Sequence, residues 1–112
     1  MPGLNQSWPL TADRILDHAA QWRPDCEIVA RTAEGQIQRT SYGALGARTR
    51  RLATALSALG VRAGDRVAVL GANSPRSLEA IYAAIGLGAV AHPLAPGLSP
   101  NRLSALIEQA QD

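Results

Sequence analysis

The sequence predicts an α/β fold in which a β-hairpin precedes a parallel strand–helix–strand unit. Apolar residues recur three and four positions apart in several segments, as they do on one face of a helix. Two short strand-like runs flank the turn Ala33-Glu34-Gly35, which is typical of a hairpin. The run Arg66–Leu70 is apolar on both faces, which indicates an interior parallel strand.

Length and composition restrict the fold and the function. A chain of 112 residues without internal repeats suits one domain, and 46% hydrophobic residues exclude a disordered chain. The chain has no Phe, so Leu, Ile, Val and Ala must form the core. The net charge of +2 comes from eleven Arg and no Lys, and it is too small to indicate nucleic-acid binding.

The first element is a helix from about Ala12 to Trp22. Thr11 is the expected N-cap, and Pro24 ends the segment. One face of this helix is expected to be buried, and it carries Ile15, Ala19 and Trp22.

A hairpin and a long helix follow. The hairpin strands are predicted at Glu27–Arg31 and Gln36–Thr40, with Gly35 at a positive φ. The helix is predicted over Tyr42–Leu59, capped by Thr40 or Ser41, with Gly60 at the left-handed position beyond its end. Its predicted buried stripe consists of Tyr42, Leu45, Thr49, Leu52, Leu56 and Leu59.

The remaining elements form the parallel unit and a final helix. After the strand Arg66–Leu70, Ser74-Pro75 opens a helix that Gly86 and Gly88 end, and Ala89–Pro93 is the second strand. Ser99-Pro100 opens the final helix. The third helix is expected to bury Leu78, Ile81, Tyr82 and Ile85, and the fourth Leu103, Leu106, Ile107 and Ala110.

The turn between Leu70 and Pro75 is the place to look for a phosphate site, because strand–glycine–helix junctions hold phosphates in nucleotide-binding proteins. Only Gly71 of the dinucleotide fingerprint is present, and Pro75 removes one amide at the helix start. A chain without Lys cannot contain a phosphate-loop motif. We therefore favour a structural turn, capped or braced by Asn73, over a phosphate site.

Other polar residues are weak candidates. His92 ends a parallel strand, where functional groups often collect, but no carboxylate or Cys lies near it in sequence. His18 is expected on the surface of the first helix, and Cys26 is expected to be a buried or half-buried inert thiol. The remaining charged candidates are expected to be solvated, and they are Arg48, Arg50, Arg51 and Glu79, the last paired weakly with Arg76.

Taken together, the elements resemble the N-terminal segment of AMP-forming acyl-CoA synthetases, members of the adenylate-forming superfamily. The features that carry the resemblance come in a fixed order: a helix beginning at Tyr42, the strand start Gly64-Asp65-Arg66-Val67, a turn with Asn73, and Gly88-Ala89-Val90 followed by Pro93-Leu94. The resemblance covers about residues 11–112 and is strongest to medium- and long-chain fatty-acid–CoA ligases. The chain departs from the family at Ala95-Pro96-Gly97-Leu98, where Asn-Pro-Arg-Leu is common, and at Ala44, where Glu is common.

The resemblance implies that residues 1–112 are the N-terminal portion of an AMP-binding domain, with the catalytic core and the C-terminal domain absent. The full-length family uses ATP, Mg and CoA to form an acyl-adenylate and then an acyl-CoA. Its phosphate loop and its two functional Lys match no position here, so we expect no catalytic, cofactor-binding or metal-binding residue in this chain. The expected partner is the rest of the parent enzyme, or a second copy of the chain.

Two other interpretations stay open at this stage. The chain could be a stand-alone α/β binding or regulatory module, or it could belong to an amino-acid or aryl-acid adenylating enzyme. In the ligase interpretation, the chain is either a fragment or the product of a truncated reading frame. Residues 1–10 lack the basic and apolar regions of a secretory signal, so a cytoplasmic protein is expected, with no partner among nucleic acids and no membrane span.

Overall fold

The computed structural model of the chain describes residues 10–112, and the α/β prediction is confirmed within this range. The expectation about a secretory signal concerns residues that lie, except for Leu10, outside the described range. The elements are α1 (Asp13–Trp22), β1 (Glu27–Arg31), β2 (Ile37–Ser41), α2 (Tyr42–Ala58), β3 (Arg66–Leu70), α3 (Pro75–Gly86), β4 (Val90–Leu94) and α4 (Pro100–Ala110).

The hairpin forms as predicted around Gly35. β1 pairs with β2 in antiparallel register, with Val29 opposite Arg39, and Gly35 has φ +85°. Glycine suits this position because a side chain disfavours a positive φ. β2 begins and ends one residue later than the sequence predicted.

The second sheet is the expected parallel pair. β3 and β4 run in register from the Arg66–Val90 pair to the Leu70–Leu94 pair. Where the strands begin, the amide of Val90 donates to the carbonyl of Asp65 at 2.7 Å. In the described part of the chain each sheet has only two strands, so β3 lies at an edge. The prediction of an interior strand is therefore wrong for this range.

The ends of α2 and α3 follow the local chemistry of the sequence. Ser41 caps α2 by accepting a hydrogen bond from the Ala44 amide at 3.2 Å, and Gly60 has φ +103° just beyond the helix. Ser74 caps α3 in the same manner, with Pro75 in the first turn. The cap predicted for α1 is wrong, because the Thr11 hydroxyl bonds to the Asp13 carboxylate and no side chain caps the helix.

The core lies where α1, α2 and α3 meet and where α3 and β4 pack together. It is formed by apolar residues that are largely removed from water: Leu16, Leu45, Ala83, Ala84, Ala89 and Leu94. α1 and α2 approach closely at Gly46, where an added Cβ would lie 2.9 Å from the Cβ of Ala20. Small side chains at the contact let the helices come this close.

The predicted buried face of α1 is wrong. Ile15 and Trp22 are 66% and 65% exposed, whereas Leu16 is 5% exposed. Both sets of residues have helical spacing, so the sequence alone could not choose between them. The close contact between Ala20 and Gly46 selects the face of α1 that is buried. Leu16 belongs to that face because it lies four residues before Ala20.

The stripes predicted for the other helices are correct in part. Leu45 and Thr49 of α2 are buried and Leu56 is half-buried, but Leu59 is 82% exposed at the helix end. The residues predicted as the buried face of α3 are only half-buried, and the deepest positions belong to Ala83, Ala84 and Glu79. The predicted stripe of α4 is confirmed as its least exposed side, although no residue of that helix is fully buried.

The described chain is elongated and open. Its radius of gyration is 16.0 Å, against about 13 Å for a compact domain of roughly 100 residues. Large apolar side chains remain exposed on both sheets, among them Val29, Ile37, Leu70 and Val90. Much apolar strand surface is therefore left without a partner.

Candidate functional site

The turn from β3 to α3 closes on its own side chains. Ser74 Oγ accepts a hydrogen bond from the Ser77 amide at 3.3 Å, and the Ser74 carbonyl accepts one from the Leu78 amide at 3.1 Å. The Ser77 hydroxyl donates in turn to the Ala72 carbonyl at 2.7 Å. The helix cap is thus Ser74, and the cap predicted for Asn73 is wrong.

This turn offers few hydrogen-bond donors to an ATP phosphate. An anion at a helix start needs free amide donors, but Pro75 has none and the Ser77 amide is already bonded. A Cβ added at Gly71 would lie 3.2 Å from Ser77 Oγ, so that hydroxyl fills the space above the glycine. These contacts favour a structural turn over a phosphate site.

The structure brings a carboxylate to His92 that the sequence did not place near it. His92 Nδ1 lies 2.6 Å from Asp112 Oδ2, and the Asp112 side chain is only 4% exposed. Arg66 Nη1 donates to Gln111 Oε1 at 3.4 Å beside this pair. The two contacts hold the end of α4 against β3 and β4. The pair was missed because its members are 20 residues apart.

A second ion pair joins α2 to α3 and corrects two predictions. Arg48 Nε donates to Glu79 Oε1 at 2.7 Å, and Glu79 is 7% exposed. Glu79 is therefore neither solvated nor paired with Arg76, and Arg48 is not a purely solvated residue. The side chains meet because α2 packs along α3, a contact between residues 31 positions apart.

The other candidates have surface positions. His18 is exposed, as predicted, with its ring centroid 6.5 Å from that of Trp22. Arg50 and Arg51 are exposed as predicted, but Cys26 is exposed and not buried. Across residues 10–112 no three metal-ligating side chains cluster, and no helix has the length and apolar character needed to cross a membrane.

One polar group in the core was not singled out from the sequence. Thr49 was placed on the buried stripe of α2, and it is 7% exposed. Within the described residues its hydroxyl oxygen has no hydrogen-bond partner. The sequence signal for this buried polar group was a Thr among the Leu residues of the predicted stripe.

A sequence profile of the AMP-binding enzymes matches residues 16–112, which is most of the chain. The chain belongs to the AMP-binding enzyme family. The resemblance to this family that the sequence predicted is therefore confirmed. The expected position of the chain in the N-terminal part of the family's fold is confirmed as well.

Several relatives of the chain are CoA ligases. It is 39% identical over 112 residues to a 3-methylmercaptopropionyl-CoA ligase of Ruegeria lacuscaerulensis. The match covers the whole chain and 21% of that protein. It is 44% identical over 98 residues to a long-chain-fatty-acid–CoA ligase of Thermus thermophilus, which covers 88% of the chain and 18% of the relative. The chain therefore spans about a fifth of the length of these curated relatives.

Solved structures of AMP-binding enzymes share the fold. The N-terminal domain of FACL13 from Mycobacterium tuberculosis, solved with an inhibitor, superimposes with a TM-score of 0.80 at 30% identity. The match covers 89% of this chain and 25% of that one. The hairpin, the parallel pair and the packed helices thus form part of a larger N-terminal domain in that protein.

Proposed function

We propose that this chain acts as a scaffold segment of an ATP-dependent fatty-acid–CoA ligase and is inactive alone. Residues 1–112 would be the N-terminal portion of its AMP-binding domain, with the catalytic core and C-terminal domain outside this chain. In that enzyme, ATP, Mg and CoA would be handled by residues that this chain does not contain. The observation that carries the proposal is similarity to CoA ligases over the whole chain but only about a fifth of their length.

The chemistry of the chain supports a scaffold role. It has no Lys, so it can supply neither the phosphate-loop Lys nor the C-terminal Lys that the family uses. The turn that most resembles a phosphate site is filled by Ser74 and Ser77. The same features support the proposal that the chain contains no catalytic, cofactor-binding or metal-binding residue.

The partner in this proposal is the rest of the ligase or, without it, a second copy of the chain. Edge strands with exposed apolar residues such as Leu70 and Val90 are prone to pair with another chain. We place the enzyme in the cytoplasm. The preference of the proposed enzyme for fatty acids rests on the similarity of the chain to the long-chain-fatty-acid–CoA ligase of Thermus thermophilus.

A chimera tests the proposal. The segment of the Thermus thermophilus ligase that matches this chain is replaced by the chain, and acyl-CoA formation from a long-chain fatty acid is measured. We expect the chimera to fold and to retain activity, because the replaced segment supplies packing surfaces and no reacting group. A chimera that melts like the parent ligase but makes no acyl-CoA would contradict the proposal.

The isolated chain provides the complementary test. We expect no carboxylate-dependent ATP–pyrophosphate exchange from it. Exchange above background that disappears on denaturation would show that the chain holds catalytic groups. In the chimera, Ser74→Ala should lower the melting temperature without raising the KM for ATP, whereas a phosphate-binding turn would raise that KM.

A further inference from the structure

The outer edge of β3 carries backbone groups with which no strand pairs in residues 10–112. The Val90 amide donates to the Asp65 carbonyl, so Val90 turns its backbone groups toward β3. In a parallel pair, the backbone groups of successive residues face alternately toward the neighbouring strand and away from it. The register therefore turns the amides and carbonyls of Arg66, Ala68 and Leu70 away from β4, where they form an uninterrupted edge.

The outer edge of β4 is interrupted. By the same register, Ala91 and Pro93 are the β4 residues whose backbone groups face away from β3. Pro93 has no amide hydrogen, so within this strand only the Ala91 amide can donate to a further neighbour. Proline within a sheet is largely confined to edge strands. A third strand is therefore favoured beside β3 and disfavoured beside β4.

The end of α4 lies over one face of this sheet. His92 is paired with Ala68, and Arg66 lies two residues before Ala68, so the side chains of His92 and Arg66 point to the same face. The two residues that follow α4 contact both side chains. His92 Nδ1 lies 2.6 Å from Asp112 Oδ2, and Arg66 Nη1 donates to Gln111 Oε1 at 3.4 Å. These contacts hold α4 on that face.

α3 covers the opposite face. It packs against both β3 and β4. Val67 and Val69 point to this face, because they alternate with Ala68, and both are half-buried. Parallel crossovers are right-handed, so two successive crossovers whose helices lie on opposite faces run in opposite directions along the sheet. The first runs from β3 to β4 over α3, and a second one through α4 would therefore lead back to the outer edge of β3.

The side chains of β3 also suit an interior strand. Val67 and Val69 are apolar on one face, and Ala68 and Leu70 are apolar on the other, as in strands that are covered on both faces. Leu70 is 54% exposed in the described chain. A strand beside β3 would remove part of this apolar surface from water.

We propose that the outer edge of β3 binds a parallel, apolar β-strand from the part of the ligase that lies outside this chain. The proposal rests on the proposed function, in which the chain is about a fifth of a longer enzyme. The added strand pairs with the backbone groups of Arg66, Ala68 and Leu70. β3 then becomes the middle strand between it and β4, and β4 stays at the edge.

Hydrogen–deuterium exchange, read by mass spectrometry, locates the added strand. The isolated chain, diluted until light scattering shows a monomer, is compared with the chimera in the Thermus thermophilus ligase. Short labelling times are used, at which amides bonded between β3 and β4 stay protected in both proteins. We expect the chimera to gain protection of about three amides in the peptide that spans β3, and no comparable gain in β4.

A matched pair of proline variants tests the same edge. Ala68→Pro and Ala91→Pro each remove an outward amide, one from β3 and one from β4, and leave the pairing between the strands intact. In the isolated monomer the two variants should lower the melting temperature equally. In the chimera, Ala68→Pro should lower it by at least about 5 °C more than Ala91→Pro, because only Ala68 loses a bond to the added strand.

Three results would overturn the proposal. The first is a gain in protection at β4 and none at β3. The second is an Ala91→Pro chimera that melts as low as the Ala68→Pro chimera. The third is an Ala68→Pro change that prevents self-association of the isolated chain but has no larger effect than Ala91→Pro in the chimera, since the edge would then serve a second copy of the chain.

The exchange measurement separates this proposal from the proposed function. An active chimera without added protection at β3 would refute the pairing and leave the scaffold role standing. A folded chimera that gains protection at β3 but makes no acyl-CoA would support the pairing and contradict the scaffold role.

Discussion

The pair between Arg48 and Glu79 allows a quantitative test of how α2 is held to α3. Glu79 is 7% exposed and accepts from Arg48 Nε at 2.7 Å, whereas the Arg48 side chain is 53% exposed. Removing Arg48 leaves a carboxylate buried without its cation. Breaking a fully buried pair in this way costs about 3–5 kcal/mol. Because water reaches Arg48, we expect about 1–2 kcal/mol for Arg48→Met.

A double-mutant cycle isolates the contribution of the pair. Met keeps the apolar stem of Arg48, and Leu replaces the Glu79 carboxylate with an apolar group of similar size. In the Glu79→Leu background, Arg48→Met should cost less than about 0.5 kcal/mol, because no buried charge is left unpaired. The free energy of unfolding of each variant is measured by urea denaturation at low salt.

The control is Arg51→Met, which removes an exposed Arg on the same helix. It should change the free energy of unfolding by less than about 0.5 kcal/mol in either background. Equal costs for Arg48→Met with and without the Glu79 carboxylate would refute the reasoning. The 2.7 Å contact would then contribute nothing to stability.

Three further predictions concern the core, a helix cap and the open sheet. Leu45→Ala should lower the free energy of unfolding by about 2–5 kcal/mol, because Leu45 is 0% exposed. Leu59→Ala should lower it by less than about 0.5 kcal/mol, because Leu59 is 82% exposed. Equal shifts of the urea midpoint in the two variants would contradict the packing of α2. Ser74→Ala should lower the free energy of unfolding by about 1 kcal/mol, because the Ser77 amide loses its acceptor, and Ser104→Ala in the middle of exposed α4 should not. The isolated chain should self-associate with rising concentration in size-exclusion chromatography with light scattering, since β3 and β4 leave apolar strand surface uncovered. A monomer at all concentrations with a sharp two-state melt would argue for a stand-alone module.

The sequence by itself determined the order and type of the elements and most of their ends. These features depend on groups that are close in the chain. Ser41, Ser74 and Ser99 each accept a hydrogen bond from an amide three residues on, and Gly35 and Gly60 take the positive φ that their turns require. The absence of Lys is likewise a property of the sequence, and it restricts the chemistry whatever the fold.

Only the tertiary structure decided which of several possible helix faces is buried. Ile15 and Leu16 both begin rows with helical spacing, and the contact of Ala20 with Gly46 selects the row that contains Leu16. The same packing brings Glu79 to Arg48 and Asp112 to His92 across 31 and 20 residues, and it buries the Thr49 hydroxyl without a hydrogen-bond partner among the described residues. Hydrophobic periodicity records which residues share a face of one helix, but it carries no information about which neighbour that face meets.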